Sequence, residues 1–206
     1  NDPDTITVNS TDNHIYGDND ADNITQSNDG NNYIDGGSDA DNIVIPNNNH
    51  WRVDGNDGDD HITVGSGNDC IYGGGDKDTI VAQNSNSIHG GGLGSRSDSD
   101  DVIQANDNNL IYGDAGADSI TVHNANTVYG GSSKHDTGTD GIDKILANNS
   151  NTIYGGDGDD SVTATDSNHI EGNDGSDKVL AEDHNSVLGG GGQDSIWVSE
   201  YNLVYG

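Results

Sequence analysis

Ten aspartates, Asp22, Asp41, Asp60, Asp78, Asp101, Asp118, Asp143, Asp160, Asp177 and Asp194, each stand two residues before an isoleucine or valine. Upstream of each lies a second frame, an aliphatic residue, any residue, then glycine, as in Ile15-Tyr16-Gly17, Ile34-Asp35-Gly36 and Val53-Asp54-Gly55. It recurs as far as Val204-Tyr205-Gly206. A carboxylate delivered to one corner of a repeating chain makes a row of oxygens, which suits hard cations. Soft or borderline metals are poorly served, because there is one cysteine and the eight histidines share no register.

Something must hold those aspartates at one corner, and the spacing says what. Successive glycine frames lie 17 to 19 residues apart, except for steps of 23 and 25 across 88–111 and 128–153. A short fixed period is the signature of a solenoid. Each period contains two alternating segments, exemplified in the second half by Ile62-Thr63-Val64, Ile120-Thr121-Val122 and Val162-Thr163-Ala164. Alternation with β-branched residues means a strand with one inward and one outward face. The expectation is an all-β, parallel solenoid of ten to eleven coils with two short strands each, about 50 Å long at roughly 4.7 Å per layer. Residues 1–206 then form a single solenoid. Without capping elements at either end, it reads as a segment of a larger repeat protein.

Composition sets the same limits from another side. The formal charge is −31, and every acidic residue except Glu171, Glu182 and Glu200 is aspartate. With 28% hydrophobic residues such a chain resembles a disordered acidic tract. A disordered tract has no reason to repeat an aliphatic position at matched offsets. Six basic residues against 37 acidic ones exclude nucleic acid as a partner. No membrane span or signal peptide is visible, nor is a nucleophile, zinc or phosphate-loop motif, so no catalytic role is assigned.

The aspartate turns carry a resemblance. Gly55-Asn56-Asp57-Gly58-Asp59-Asp60-His61-Ile62 and Gly155-Gly156-Asp157-Gly158-Asp159-Asp160-Ser161-Val162 resemble the calcium-binding nonapeptide of the RTX, or haemolysin-type, repeats. Gly172-Asn173-Asp174-Gly175-Ser176-Asp177 is similar, as is Gly113-Asp114-Ala115-Gly116-Ala117-Asp118. The resemblance spans essentially the whole chain. It implies a parallel β-roll with Ca²⁺ between matching turns, held by turn carbonyls and the final aspartate. The carbonyl positions carried over are Gly17, Gly36, Gly55, Gly73, Gly113, Gly155, Gly172 and Gly189, together with Asn19, Ser38, Asp57, Gly75, Ala115, Asp157, Asp174 and Gly191. Ten turns leave nine gaps, hence up to nine ions in one row. Nine divalent ions would leave a charge of about −13, so ion binding and compaction should be coupled.

Three departures from the family pattern stand out. Asp20, Asp39 and Asp76 occupy a fourth position where glycine is expected. Two turns carry insertions, at 90–101 and 130–143, whose backbone is expected to leave the standard turn. The opposite corner shows a calcium-type motif only at Gly65-Ser66-Gly67-Asn68-Asp69, read as a structural relic; elsewhere it carries a row of asparagines, Asn13, Asn32, Asn86, Asn109, Asn126, Asn151, Asn168, Asn185 and Asn202, broken at Trp51 and Asp69. That row is expected to be an asparagine ladder.

The outward faces leave readings open. Tyr16, Tyr72, Tyr112, Tyr129, Tyr154 and Tyr205 follow the aliphatic anchors and offer either shielding for sheet hydrogen bonds or a polysaccharide-binding face. Thr7, Thr25, Thr63, Thr121 and Thr163 line the other strand, interrupted by Val44, Val81, Gln104, Leu146, Leu180 and Trp197. The function expected is an extracellular calcium-binding structural domain of a surface layer, adhesin or secreted filament, associating with itself end to end or along its faces. Two other readings are a calcium-binding module of a secreted enzyme (epimerase, lipase or protease) and a polysaccharide-binding module. The resemblance implies bacterial type I secretion, with folding on meeting calcium.

Overall fold

A computed structural model describes residues 2–28, 30–46, 51–92, 99–131 and 139–206. Among these residues there are 22 strands, β1 (Thr5–Val8) and β2 (His14–Tyr16) forming the first coil and β21 (Ser195–Val198) and β22 (Leu203–Tyr205) the last. Odd-numbered strands pair in sequence order into one 11-stranded parallel sheet and even-numbered strands into another. We call these the threonine sheet and the tyrosine sheet after their outward residues. The molecule is an all-β solenoid with two strands per coil, and the chain turns twice per coil, at an aspartate corner and an asparagine corner.

The register is that of the repeat. Ile24, Ile43, Ile62, Ile80, Ile103, Ile120, Ile145, Val162 and Val179 stack on one another through the threonine sheet. Facing them, Ile34, Val53, Ile71, Ile88, Ile111, Val128, Ile153, Ile170 and Val187 stack through the tyrosine sheet. All of these side chains have no solvent exposure. Two or three apolar side chains per coil are too few to close a core within one layer, so each coil depends on burial by its neighbours.

The insertions leave this register untouched. Ile103 pairs with Ile80 across the first and Ile145 with Ile120 across the second. Their interiors, 93–98 and 132–138, lie outside the described residues. The expectation that their turns abandon the standard path needs correction for the closing residues. An added Cβ at Gly158 would meet the Gly141 carbonyl oxygen, and one at Gly141 would meet that of Gly116, so Gly141 takes the fourth turn position between its neighbours. From Asp140 onward the second inserted turn follows the standard path.

The three aspartates in place of glycine are accommodated without breaking the corner. Asp20, Asp39 and Asp76 adopt φ of 76°, 72° and 69°, the left-handed region where Gly116 and Gly158 sit in other coils at 121° and 137°. Aspartate is among the few residues that tolerate it.

Candidate cation site

At the aspartate corner each carboxylate is held by one oxygen. The backbone N–H of each aspartate donates to Oδ1 of the aspartate one coil ahead, from Asp22 onto Asp41 (2.7 Å) through Asp143 onto Asp160 (2.8 Å) to Asp177 onto Asp194 (3.1 Å). The row runs unbroken through both insertions, with Asp78 N–H on Asp101 and Asp118 N–H on Asp143 at 2.7 and 2.8 Å. It also has a member the sequence reading left out. Asp4 donates its backbone N–H to Asp22 Oδ1 at 2.6 Å, and it obeys the same rule, two residues before Ile6.

The second oxygen is in a different position. Oδ2 of Asp22, Asp41, Asp60, Asp143, Asp160 and Asp177 is buried with no hydrogen-bond donor, in residues no more than 2% exposed. It faces another acceptor. A Cβ added to Gly55 would lie 2.1 Å from Asp60 Oδ2 and 2.2 Å from the Gly73 carbonyl oxygen. At Gly172 the corresponding distances are 2.2 Å to Asp177 Oδ2 and 2.3 Å to Gly189 O. The same pair of oxygens converges on Gly17, Gly36, Gly73, Gly113 and Gly155, and also on Gly90 and Gly130, which flank the insertions. At Gly189 the Asp194 Oδ2 is the near oxygen. Glycine is required here because any side chain would fill the space where the two oxygens meet.

Two acceptors facing each other in a dry corner need a positive charge between them. Burial first, and neighbouring aspartates second, push the carboxyls of Asp41, Asp60, Asp160 and Asp143 up to about 6, 7, 7 and 8. Among the described residues no three His, Cys, Asp or Glu side chains gather as a metal site. A cation would therefore be held by one carboxylate per coil and by backbone carbonyls. That all-oxygen donor set fits Ca²⁺ and does not fit zinc or copper.

The third-position residues lie at the strand ends beside this row. Asn19 bridges Ser38, Ser38 aligns with Asp57 and Asp57 with Gly75, while Asp157 aligns with Asp174 and Asp174 with Gly191. The carbonyls of Gly75, Asp174 and Gly191 already accept an N–H from Gly58, Gly158 and Gly175, leaving one lone pair each. Ala115 is buried at the same corner. Asp140 occupies this position in the second inserted turn, where its carboxylate accepts from Asp157 N–H (2.6 Å) and Gly141 N–H (3.0 Å). Burial raises it to about 6. The insertion hid it from the motif.

The asparagine corner is built on the same backbone plan with different chemistry. Asn86, Asn109, Asn126, Asn151 and Asn168 each donate a backbone N–H to Oδ1 of the next asparagine at 2.8 Å. Their Nδ2 groups donate onto turn carbonyls, Asn126 to Asn106 O at 2.8 Å and Asn151 to His123 O at 2.9 Å. Asp69 does not break the row, since it accepts from Trp51 N–H at 2.8 Å. Trp51 is where the row loses a member: its buried indole nitrogen has no hydrogen-bond partner. A second rank lies just outside, Asp107, Asn124, Asn149, Asp166 and Asp183, each accepting a backbone N–H from the coil ahead.

The tyrosines are less available than their outward positions suggest. Tyr72, His89, Tyr112, Tyr129 and Tyr154 stack face to face, with ring centroids 4.6 to 4.9 Å apart. Arg52 extends the stack between Tyr33 and Tyr72. Tyr16 packs edge-on against Tyr33, and Tyr205 is 54% exposed.

Comparison with known families bears directly on the aspartate row. The family model of the RTX calcium-binding nonapeptide repeat matches residues 1–25, 26–44, 52–80, 97–124, 103–132, 137–166 and 162–196, most of the chain. The chain belongs to the RTX calcium-binding repeat family. No curated protein and no solved structure matches it. As an RTX β-roll it is a structural calcium-binding repeat domain, of a kind associated with secreted proteins. No described helix is long and apolar enough to cross a membrane.

Proposed function

We propose that this RTX roll is an ion-gated stiffening segment of a secreted or surface-exposed protein such as a surface layer, adhesin or extracellular filament. One observation carries the reading: the buried Oδ2 atoms of Asp22, Asp41, Asp60, Asp143, Asp160 and Asp177 face glycine carbonyls with no donor between them. Asp22, Asp41, Asp60, Asp143, Asp160 and Asp177, with their counterparts Asp78, Asp101, Asp118 and Asp194, would hold calcium with the glycine carbonyls of adjacent coils. Bound calcium supplies the positive charge that lets these oxygens stay ionised and buried. Without it the row destabilises the closed corner. Such sites suit a compartment rich in calcium, which supports a place outside the cell.

The test is a Ca²⁺ titration of chelator-stripped protein followed by far-UV circular dichroism and calorimetry, with Mg²⁺ as control. A cooperative gain of β signal with Ca²⁺ alone, at several ions per chain, is expected. A chain already fully β and indifferent to Ca²⁺ would remove the proposal. The polysaccharide reading draws no support from the stacked tyrosines, whose ring faces are occupied by one another.

A further inference from the structure

The outward face of the threonine sheet changes character along the rod. In the early coils it carries Thr7, Thr25, Val44 and Thr63, flanked in the row of Thr5 by Asn23, Asn42 and His61. In the last coils the same rows carry Leu146, Thr163, Leu180 and Trp197, flanked by Lys144, Ser161, Lys178 and Ser195. Leu146, Leu180 and Trp197 are 36%, 38% and 55% exposed. A groove of about 490 Å³ runs along this face between the row of Leu146, Leu180 and Trp197 and the next outward row, that of His123, Thr165 and Glu182.

Charge marks this groove further. Only six basic residues occur in a chain of formal charge −31, and two of them, Lys144 and Lys178, lie in one row on the other side of the Leu146, Leu180 and Trp197 ridge from the groove. Among the described residues the ion pairs are Arg52–Asp54, His89–Asp114 and His169–Glu171, and neither lysine is in one. Lys178 instead holds its ammonium 5.7 Å from the centre of the Trp197 ring. His123 and Glu182 stand on the rim. The groove crosses five strands, about 19 Å at roughly 4.8 Å per strand, the length of some six extended residues.

We propose that this groove binds an extended polypeptide segment that alternates apolar and acidic residues. Its apolar side chains would cover Leu146, Leu180 and Trp197, and its carboxylates would meet Lys144 and Lys178. Leu146, Leu180 and Trp197 present exposed apolar surface that apolar side chains can cover, which favours peptide over anionic polysaccharide. The negative charge elsewhere repels an acidic partner and confines it to this face. Lys144 and Lys178 directly follow Asp143 and Asp177, so the calcium stoichiometry of the lysine variant is measured beside its peptide affinity, which separates loss of this site from loss of the ion row.

The experiment uses the full chain in calcium and the emission of Trp197, with buried Trp51 as an internal constant. The probes are a hexapeptide alternating Asp and Leu, one alternating Lys and Leu, and an oligouronate. A blue shift and protection from acrylamide with the acidic peptide alone is expected. It should weaken about tenfold in K144E/K178E. Both lysines are solvent-exposed, so circular dichroism of that variant should match the parent. Binding of neither peptide, equal binding of both, or a response to the oligouronate alone would overturn the proposal. Leu180→Ser supplies an independent check, and unchanged affinity for the acidic peptide there would also overturn it.

Discussion

The two corners of each coil solve one problem in two ways. At both, a side-chain Oδ1 accepts the backbone N–H of the preceding coil, at 2.8 Å for Asn151 onto Asn168 and 2.8 Å for Asp143 onto Asp160. They differ at the other terminal atom. Asparagine presents Nδ2, which donates to turn carbonyls, as Asn185 does to Thr165 O at 2.7 Å. Aspartate presents Oδ2, which meets glycine carbonyls and has nothing to give them. One corner carries its own donors. The other leaves its acceptors without donors, and on the proposed function it is there that folding would come to depend on an ion. Exchanging NH₂ for O⁻ on one backbone geometry is the difference that proposal rests on.

The largest effect expected from this difference is on the whole fold. Stripping calcium at pH 8 should abolish most β signal in far-UV circular dichroism, because the asparagine corner alone cannot offset a row of buried carboxylates. Retention of the full signal in chelator would mean the two corners are equivalent after all.

Acidity should partly substitute for calcium. Asp60, Asp143 and Asp160 are raised to about 7, 8 and 7 in the folded chain, above their ordinary value, by burial first and neighbouring charge second. The folded state therefore binds more protons than the unfolded state between about pH 4 and pH 8, and apo stability falls as pH rises through that window. Urea midpoints of calcium-free protein should be higher at pH 5 than at pH 8. Calcium must displace these protons, so its affinity should rise over the same range.

Exchanging the corner chemistry at single positions sharpens the comparison. Asn126→Asp removes the donor to Asn106 O and Asn124 O and buries a charge, and should cost about 3 kcal/mol in urea unfolding. Asp160→Asn should do the reverse at the other corner. It should lower the calorimetric calcium stoichiometry and make apo protein more stable by about 1 kcal/mol. Loss of apo stability in Asp160→Asn would show that the corners differ by more than one atom.

The smallest effect belongs to the outer faces. Tyr112→Ala removes the middle of the aromatic stack and should cost about 1 kcal/mol without altering calcium stoichiometry. A changed stoichiometry would tie the tyrosine sheet to the ion row.

Much of this was readable in the chain. Alternation in Ile62-Thr63-Val64 and its equivalents announced strands, and the fixed interval announced stacking. Asp140 escaped because the frame that flags the others is split from it by an insertion. The outer rank of Asp107, Asn124 and Asp166 escaped because it mixes amide and acid, which looks random until hydrogen bonds show that Oδ1 is the acceptor of the backbone N–H in each. The tyrosines were visible as a row, yet whether their faces meet water or each other depends on rotamers that no spacing specifies.

The sequence by itself determined the solenoid, its two sheets and the identity of the residue at each corner. Equal intervals between inward residues leave few other ways to bury them. Only the tertiary structure decided which oxygen of each aspartate is spent on the backbone and which is left facing a carbonyl. It alone brought Lys144 and Lys178, 34 positions apart, into one row beside the Leu146, Leu180 and Trp197 ridge. Both outcomes depend on the register between coils, a relation among residues that are neighbours in space and distant along the chain.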